Sequence, residues 1–148
     1  MPLESVLLAI GQGDADRTDA LARTVADVAG PAGATVTLAH VFTEAEFAAV
    51  TEQLAYDPDG PIDADEVASR HATVRELTSA LDDADVEYVI RGAVGPHGER
   101  IVALARGTDA DLVVVGGRKR TPAGKAVFGS TAQEVMLNSP CPVTFVRA

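Results

Sequence analysis

Five short apolar runs, separated by segments with helical spacing, constrain the fold of this chain more than any other feature. The runs have the length of strands, and DLVVVGG at Asp111–Gly117 shows no alternation between apolar and polar positions. Continuous apolar strands of this kind are buried on both faces, which is typical of a parallel sheet covered by helices. The predicted strands are Ser5–Ile10, Ala34–Phe42, Val86–Gly92, Asp111–Gly117 and Pro142–Arg147.

Apolar residues recur at helical spacing between these strands. Leu21, Val25 and Val28 predict a first helix, which the GPAG stretch at Gly30–Gly33 is expected to terminate. The acidic, turn-rich segment after the second strand is interpreted as a surface excursion that is helical near Glu44–Leu54. The remaining helices are predicted as one long helix from Val67, Val74, Leu77 and Leu81, a helix around Ile101, Leu104 and Ala105, and a helix over Ser130–Asn138.

This order of elements predicts a single α/β domain over residues 1–148 with a five-stranded parallel sheet and helices on both faces. In such folds, ligands bind outside the carboxyl ends of the strands, where the strand order reverses. The loops with functional potential are therefore Gly11–Asp14, the one after Val41, Gly92–Gly98 and Gly116–Ser130.

The charge balance excludes some partners. The 148 residues include 22 acidic and 12 basic ones, for a formal net charge of -10, which repels nucleic acid and anionic membranes. No apolar run approaches the length of a membrane span, and Met1–Gly11 lacks the pattern of a signal peptide, so we expect a cytoplasmic protein. The many carboxylates and the rarity of lysine suggest a halophilic source with a salty cytoplasm.

Positive charge is nevertheless concentrated in the loop before the last predicted helix, where Arg118, Lys119, Arg120 and Lys125 fall within eight residues. Such a loop either holds an anion or is a solvated turn. The unpaired amides at the start of a helix attract anions, which favours the first interpretation.

The beginning of that helix has a second interpretation. Ser130–Gln133 fits an S-x-x-Q capping box, in which the serine hydroxyl satisfies its own helix. Because a cap uses only some of the unpaired amides, capping and anion binding are compatible. Gly116 and Gly117, at the other end of the loop, are predicted to let a ligand approach the backbone closely.

Other phosphate-binding and catalytic motifs fit poorly. A P-loop requires Ser or Thr after Gly-Lys, but Ala126 stands there, and a dinucleotide-binding fingerprint would need glycine where Asp16 is found. The three histidines lack the spacing of metal ligands, so no metal is expected, and no G-x-S-x-G elbow indicates a hydrolase. His40, near the end of the second strand, is interpreted as a packed, hydrogen-bonded residue.

The segment GGRKRTPAGKAVFGST, after DADLVVVG and before PCPVTFV, resembles the ligand loop of the universal stress protein family. The resemblance covers nearly the whole chain, including VLLAI, TLAHV, AVGPHGERIVALA and SPCPVTFVR in the family's order. It implies a flavodoxin-like, adenine nucleotide alpha hydrolase-like domain with strand order 3-2-1-4-5. It also implies a homodimer formed through the last strand, Pro142–Arg147, and a non-catalytic stress-response module that binds ATP, an AMP-like nucleotide or another phosphate.

The family's nucleotide site is carried over by matching positions. Two positions depart from the pattern of its ATP-binding members: Gly11 replaces an Asp after the first strand, and Lys119 replaces the second glycine of G-x-x-G. Asp14, three residues after Gly11, is a candidate substitute for the missing carboxylate. The implied nucleotide- or phosphate-binding residues are Ala9, Ile10, Gly11, Val41, Val115, Gly116, Arg118, Lys119, Gly129, Ser130, Thr131 and Ala132.

Three alternative functions remain open from the sequence. The chain is either a nucleotide-binding member or a relative that has lost ATP binding and acts through dimerisation and protein partners. A slow ATPase is a third, weaker alternative, and no catalytic residue is predicted.

Overall fold

The five predicted strands form one parallel sheet in the computed structural model, which describes residues 3–57, 59–117 and 129–147. All four neighbouring pairs are parallel, and the strand order is β3-β2-β1-β4-β5. The predicted α/β fold and strand order are therefore confirmed. The strands are β1 (Ser5–Ile10), β2 (Thr35–Phe42), β3 (Tyr88–Val94), β4 (Leu112–Gly117) and β5 (Val143–Arg147).

Helices cover both faces of the sheet. A short 3-10 turn at Gln12–Asp16 follows β1. Within the described ranges, no helix is long and apolar enough to cross a membrane. The helices are α1 (Thr18–Ala32), α2 (Glu44–Gln53), α3 (Ala64–Ser69), α4 (Ala72–Asp83), α5 (His97–Gly107) and α6 (Ser130–Asn138).

The alternation of side chains along β1 explains why its sequence is apolar without interruption. Val6 and Leu8 belong to the apolar cluster that contains residues of α1 and α4, whereas Leu7 and Ala9 belong to the cluster that contains residues of α5 and α6. These four residues are buried, with at most 4% of their surface exposed. A strand between two helical layers needs apolar side chains at every position.

The first helix extends further than the sequence predicted. Gly30 and Pro31 belong to α1, and the helix ends at Gly33, which adopts the left-handed conformation with φ 67°. The amide of Gly33 donates to the carbonyls of Ala29 and Gly30. The predicted terminator is thus correct only for its last residue, because ending the helix requires the positive φ that glycine adopts without strain.

The long helix predicted from Val67 to Leu81 is in fact two helices, α3 and α4. His71 lies between them and caps α4, since its Nδ1 accepts a hydrogen bond from the amide of Thr73 at 3.3 Å. Periodicity did not reveal the break because residues on both sides of it are buried. Val67 packs beside Phe42, and Val74 packs in the cluster under α1.

The third strand is displaced by two residues from its predicted position. Val86 is buried but belongs to the turn after α4, where its amide donates to the carbonyl of Leu81. The pairing of β3 with β2 instead continues to Phe42↔Val94. An apolar side chain at a buried turn therefore looked like the start of the strand.

The acidic segment after β2 contains α2, as the sequence predicted near Glu44–Leu54. Thr43 and Glu46 form a reciprocal capping box: Thr43 Oγ1 accepts from the amide of Glu46, and Glu46 Oε1 accepts from the amide of Thr43. The apolar residues of α2 and α3 gather around Phe42 in a separate small cluster. Both helices therefore lie beside the carboxyl end of β2.

Candidate functional site

A cavity of about 490 Å³ opens at the carboxyl ends of the central strands, within the size range of small-molecule sites. All the predicted binding residues that the structure describes line it. Arg118 and Lys119, the other two predicted residues, lie outside the described residues. The predicted residues that line the cavity are Ala9, Ile10, Gly11, Val41, Val115, Gly116, Gly129, Ser130, Thr131 and Ala132.

The register of the sheet brings these residues together. Ala9 pairs with Val115 of β4 on one side and with Ala39 of β2 on the other, while Ile10 pairs with His40. Because the strands are parallel, their carboxyl ends meet at the same edge. The apolar ends of β1, β2 and β4 thus form the floor of the cavity.

The amino-terminal end of α6 forms another wall. Gly129 is the N-cap, with φ -63° and ψ 161°, and no side chain caps the helix. The predicted capping box is therefore wrong, because Ser130 is the first helical residue and Gln133 lies one position too far along the helix. The first residues of α6 line the cavity, and the unpaired amides and positive dipole end at the start of a helix favour an anion.

The two glycines that end β4 have a structural reason that the sequence did not reveal. A Cβ on Gly116 would lie 2.7 Å from Asp14 Oδ1 and 3.0 Å from Arg17 Cδ. A Cβ on Gly117 would lie 2.4 Å from the ring of Phe145. Both glycines line the cavity, but close packing inside the protein is sufficient to require them.

Asp14 and Arg17 form a buried ion pair in the wall of the cavity. Arg17 Nη1 lies 2.5 Å from Asp14 Oδ1, and the side chains of Arg17 and Asp14 are only 11% and 5% exposed. Asp14 Oδ2 accepts a hydrogen bond from the amide of Gly11 at 2.7 Å. The sequence analysis considered Asp14 but missed Arg17, although the i, i+3 spacing of opposite charges was a usable signal.

The three histidines, which are far apart in the sequence, come together beside the cavity. The rings of His40 and His71 lie 4.3 Å apart between centroids, and His97 Nε2 is 2.8 Å from Glu46 Oε1. His40 Nδ1 is 3.2 Å from the carbonyl oxygen of Ile10, which can only accept, so Nδ1 carries the proton. The prediction that His40 is packed and hydrogen-bonded is therefore confirmed.

Burial determines the protonation of this group. The pKa of His40 is lowered to about 4, mainly by desolvation and also by the neighbouring His71, although the carbonyl of Ile10 and the charge of Glu46 oppose the shift. Burial also lowers the pKa of His71. Desolvation alone would raise the pKa of Glu46, but the amide of Thr43 and the contact with His97 outweigh it and lower the pKa. His40 is thus neutral at pH 7.

No group of three His, Cys, Asp or Glu side chains among the described residues is arranged to hold a metal ion. The chemistry of the described wall is therefore that of an apolar pocket with a few polar groups: one ion pair, two histidines and the start of α6. Such a wall can bind and orient a small molecule.

A comparison with protein-family models decides the family. The model described as "Universal stress protein family" matches residues 3–147, nearly the whole chain. The chain belongs to the universal stress protein family. The resemblance stated from the ligand loop and the flanking strands is therefore confirmed.

Curated members of the family align with parts of the chain. The universal stress protein of Mycolicibacterium smegmatis is 36% identical over 80 residues, which are 53% of this chain and 62% of that protein. A universal stress protein of Thermus aquaticus is 42% identical over 53 residues, 36% of this chain and 39% of the relative. The chain thus matches less than two thirds of the length of each of these relatives.

Three solved structures of the family match over almost their full length. The universal stress protein from Archaeoglobus fulgidus superposes with a TM-score of 0.71 at 26% identity, covering 97% of this chain and 98% of that one. A universal stress protein in complex with cAMP superposes with a TM-score of 0.67 at 23% identity, covering 99% of this chain and 98% of that one. The universal stress protein from Archaeoglobus fulgidus in complex with dAMP superposes with a TM-score of 0.66 at 22% identity, covering 99% of this chain and 100% of that one.

Proposed function

We propose that this universal stress protein is a non-catalytic regulatory module that binds an adenine nucleotide, such as ATP or AMP, in the cavity at the carboxyl ends of β1 and β4. One observation carries the proposal: every predicted binding residue that the structure describes lines this single cavity. The apolar floor suits a base and a sugar, and the amino-terminal end of α6 suits a phosphate.

Two relatives support the choice of ligand. Family members crystallised with cAMP and with dAMP share the fold over nearly the full length of this chain. Both ligands combine adenine with a phosphate. The cavity of this chain has an apolar region, which suits adenine, and a helix terminus, which suits a phosphate. An adenine nucleotide is therefore the first ligand to test.

One observation favours the second candidate, a member that has lost ATP binding and acts through dimerisation and protein partners. Both oxygens of Asp14 are already engaged, one by the amide of Gly11 and the other by Arg17. Asp14 therefore does not simply replace the carboxylate that is absent at position 11. Loss of a charge-assisted hydrogen bond weakens binding by about ten- to a hundredfold.

Native mass spectrometry of freshly purified protein and calorimetric titration with ATP, ADP, AMP and cAMP test the proposal. We expect micromolar affinity for at least one of them. Ser130→Ala, at the start of α6, is expected to weaken the binding without unfolding the domain. Ser79→Ala is the matched control, because Ser79 lies on the exposed side of α4 and does not line the cavity.

The outcomes separate the candidates. If none of the four nucleotides binds, the nucleotide proposal fails and the partner-binding candidate is favoured. If a nucleotide binds equally well to wild type and Ser130→Ala, the binding site lies away from α6. Phosphate release from ATP that is lost in Ser130→Ala would instead establish the third candidate, a slow ATPase.

The proposed module is a cytoplasmic homodimer that associates through the carboxyl-terminal strand. β5 is an edge strand of the sheet, and its outer backbone groups have no neighbouring strand in the described chain. Edge strands of this kind are templates for pairing with another chain. Light scattering coupled to size-exclusion chromatography measures the oligomeric state directly.

A further inference from the structure

Asp14 and Arg17 differ in how completely their hydrogen-bonding groups are used. Asp14 accepts at both carboxylate oxygens, from the amide of Gly11 and from Arg17 Nη1. The Arg17 side chain carries five N–H donors, but its one hydrogen bond to the side chains and backbone of the described residues is the bond from Nη1 to Asp14. Its Nε is buried and has no hydrogen-bond partner among those residues. Each oxygen of Asp14 thus accepts one hydrogen bond, whereas the buried Nε of Arg17 has no acceptor among the described residues.

The position of Arg17 makes this imbalance informative. Its side chain folds back over Gly13, where a Cβ would lie 3.5 Å from Nη1, and over Gly116, where a Cβ would lie 3.0 Å from Cδ. It therefore lies between the turn after β1 and the end of β4, in the wall of the cavity. The guanidinium is permanently charged, and a buried charge with unused donors is costly unless an acceptor reaches it.

The two histidines that line the cavity are already hydrogen-bonded to other protein groups. His40, which also lines the cavity, is buried and paired through Nδ1 with the carbonyl of Ile10. His97, another lining residue, is paired with Glu46. Among the described residues that line the cavity, Arg17 is the one with a permanent positive charge. The planar guanidinium can donate two parallel hydrogen bonds to a phosphate.

We propose that Arg17 is a ligand-binding residue that recognises the phosphate of the nucleotide, and that Asp14 is its positioning residue. The identity of the ligand as a nucleotide rests on the proposed function. The binding of an anion by Arg17 does not. Asp14 holds one edge of the guanidinium and leaves the remaining donors for the ligand. Arg17 thereby makes the cavity selective for phosphorylated ligands over the corresponding nucleoside.

Calorimetric titration of wild type, Arg17→Met, Arg17→Lys and Asp14→Asn with AMP, adenosine and inorganic pyrophosphate tests this. Met preserves the packing of the chain over Gly116 without the charge. Arg17→Met is expected to lose tenfold or more in AMP affinity and to leave adenosine affinity unchanged. Arg17→Lys keeps the charge without the fork and should lose severalfold for AMP only. Asp14→Asn weakens the ion pair that holds the guanidinium in place, so it should lower AMP affinity severalfold and leave adenosine affinity unchanged.

A purely structural role for Arg17 would weaken AMP and adenosine equally in Arg17→Met and Arg17→Lys, which would overturn the proposal. Unchanged AMP affinity in both variants would overturn it as well, while leaving the nucleotide proposal intact. Binding of pyrophosphate but no nucleotide to the wild type, lost in Arg17→Met, would overturn the nucleotide proposal and support Arg17. If the wild type binds none of the probes, both proposals fail.

Discussion

His40 lies at the carboxyl end of β2, with only 4% of its surface exposed, between the cavity and the apolar cluster around Phe42. Burial is the main reason why its pKa is about 4, and the adjacent ring of His71 acts in the same direction. A neutral imidazole donates to the carbonyl of Ile10 without bringing a charge into the sheet. The folded state is therefore adapted to the deprotonated residue.

This protonation predicts a pH-dependent stability. The folded-state pKa of His40 lies below the ordinary histidine value of 6.5, so protons bind preferentially to the unfolded chain between pH 6.5 and 4. The contribution of His40 is complete above pH 6.5 and is lost as the pH falls towards 4, by about 3 kcal/mol in the free energy of unfolding. Urea unfolding at several pH values measures this change, and NMR titration of the imidazole assigns it.

His40→Gln is the control, since glutamine keeps a donor for the carbonyl of Ile10 but does not titrate. The free energy of unfolding of the wild type, relative to that of the variant, should fall as the pH is lowered from 7 to 4. A constant difference across that range would show that His40 titrates normally in the folded protein. The remaining acid sensitivity of the variant reports the other titrating groups.

At the scale of the elements, α3 shows how a short helix is held against the sheet. Gly92 of β3 lies directly beneath its first turn, where a Cβ would come within 2.0 Å of the carbonyl oxygen of Ala64. The amide of Gly92 donates to Asp65 Oδ1 at 2.7 Å. Backbone atoms cannot move aside as a flexible side chain does, so this position requires glycine.

Gly92→Ala is therefore expected to displace α3 from the sheet and to lower the free energy of unfolding by about 1–3 kcal/mol. Hydrogen exchange should show reduced protection in α3 and the end of β3. Gly107→Ala in α5 is the matched control, because no atom lies within 4 Å of its new Cβ and alanine stabilises a helix relative to glycine by about 0.5–1 kcal/mol. Equal effects of the two substitutions would contradict the packing argument.

At the scale of the whole molecule, the net charge of -10 is the dominant electrostatic feature. Like charges repel one another more strongly in the compact state than in the unfolded chain. Salt screens this repulsion, since the Debye length falls from about 30 Å at 0.01 M to about 8 Å at 0.15 M ionic strength. The stability of the fold is thus coupled to the salt concentration of its surroundings.

We expect the thermal unfolding midpoint at pH 7 to rise as KCl is increased from about 0.01 M towards 1 M, with much of the change at the lower concentrations, where screening varies most. Differential scanning calorimetry measures the midpoint. Near pH 4.6, the isoelectric point, the same series should have a much smaller effect. A midpoint at pH 7 that does not change with KCl would mean that the acidic residues do not destabilise the fold.

Local patterns predicted much of this fold. The bounds of β1 and α6 agree with those predicted, because an apolar run or a helical period is written in consecutive residues. The parallel sheet followed from strands without alternation. The order of the strands and most of the cavity residues came from the family resemblance, which the match over residues 3–147 confirms at the level of the family.

The tertiary structure decided what depends on residues distant in the chain. The meeting of His40 with His71 and the contact of Gly92 with Ala64 both join segments that no sequence window spans. Even the Asp14–Arg17 pair, close in sequence, depends on the end of β4 for its burial. The sequence by itself determined the elements, because their periods are local, whereas only the packed structure decided which polar groups face the cavity and which are already satisfied.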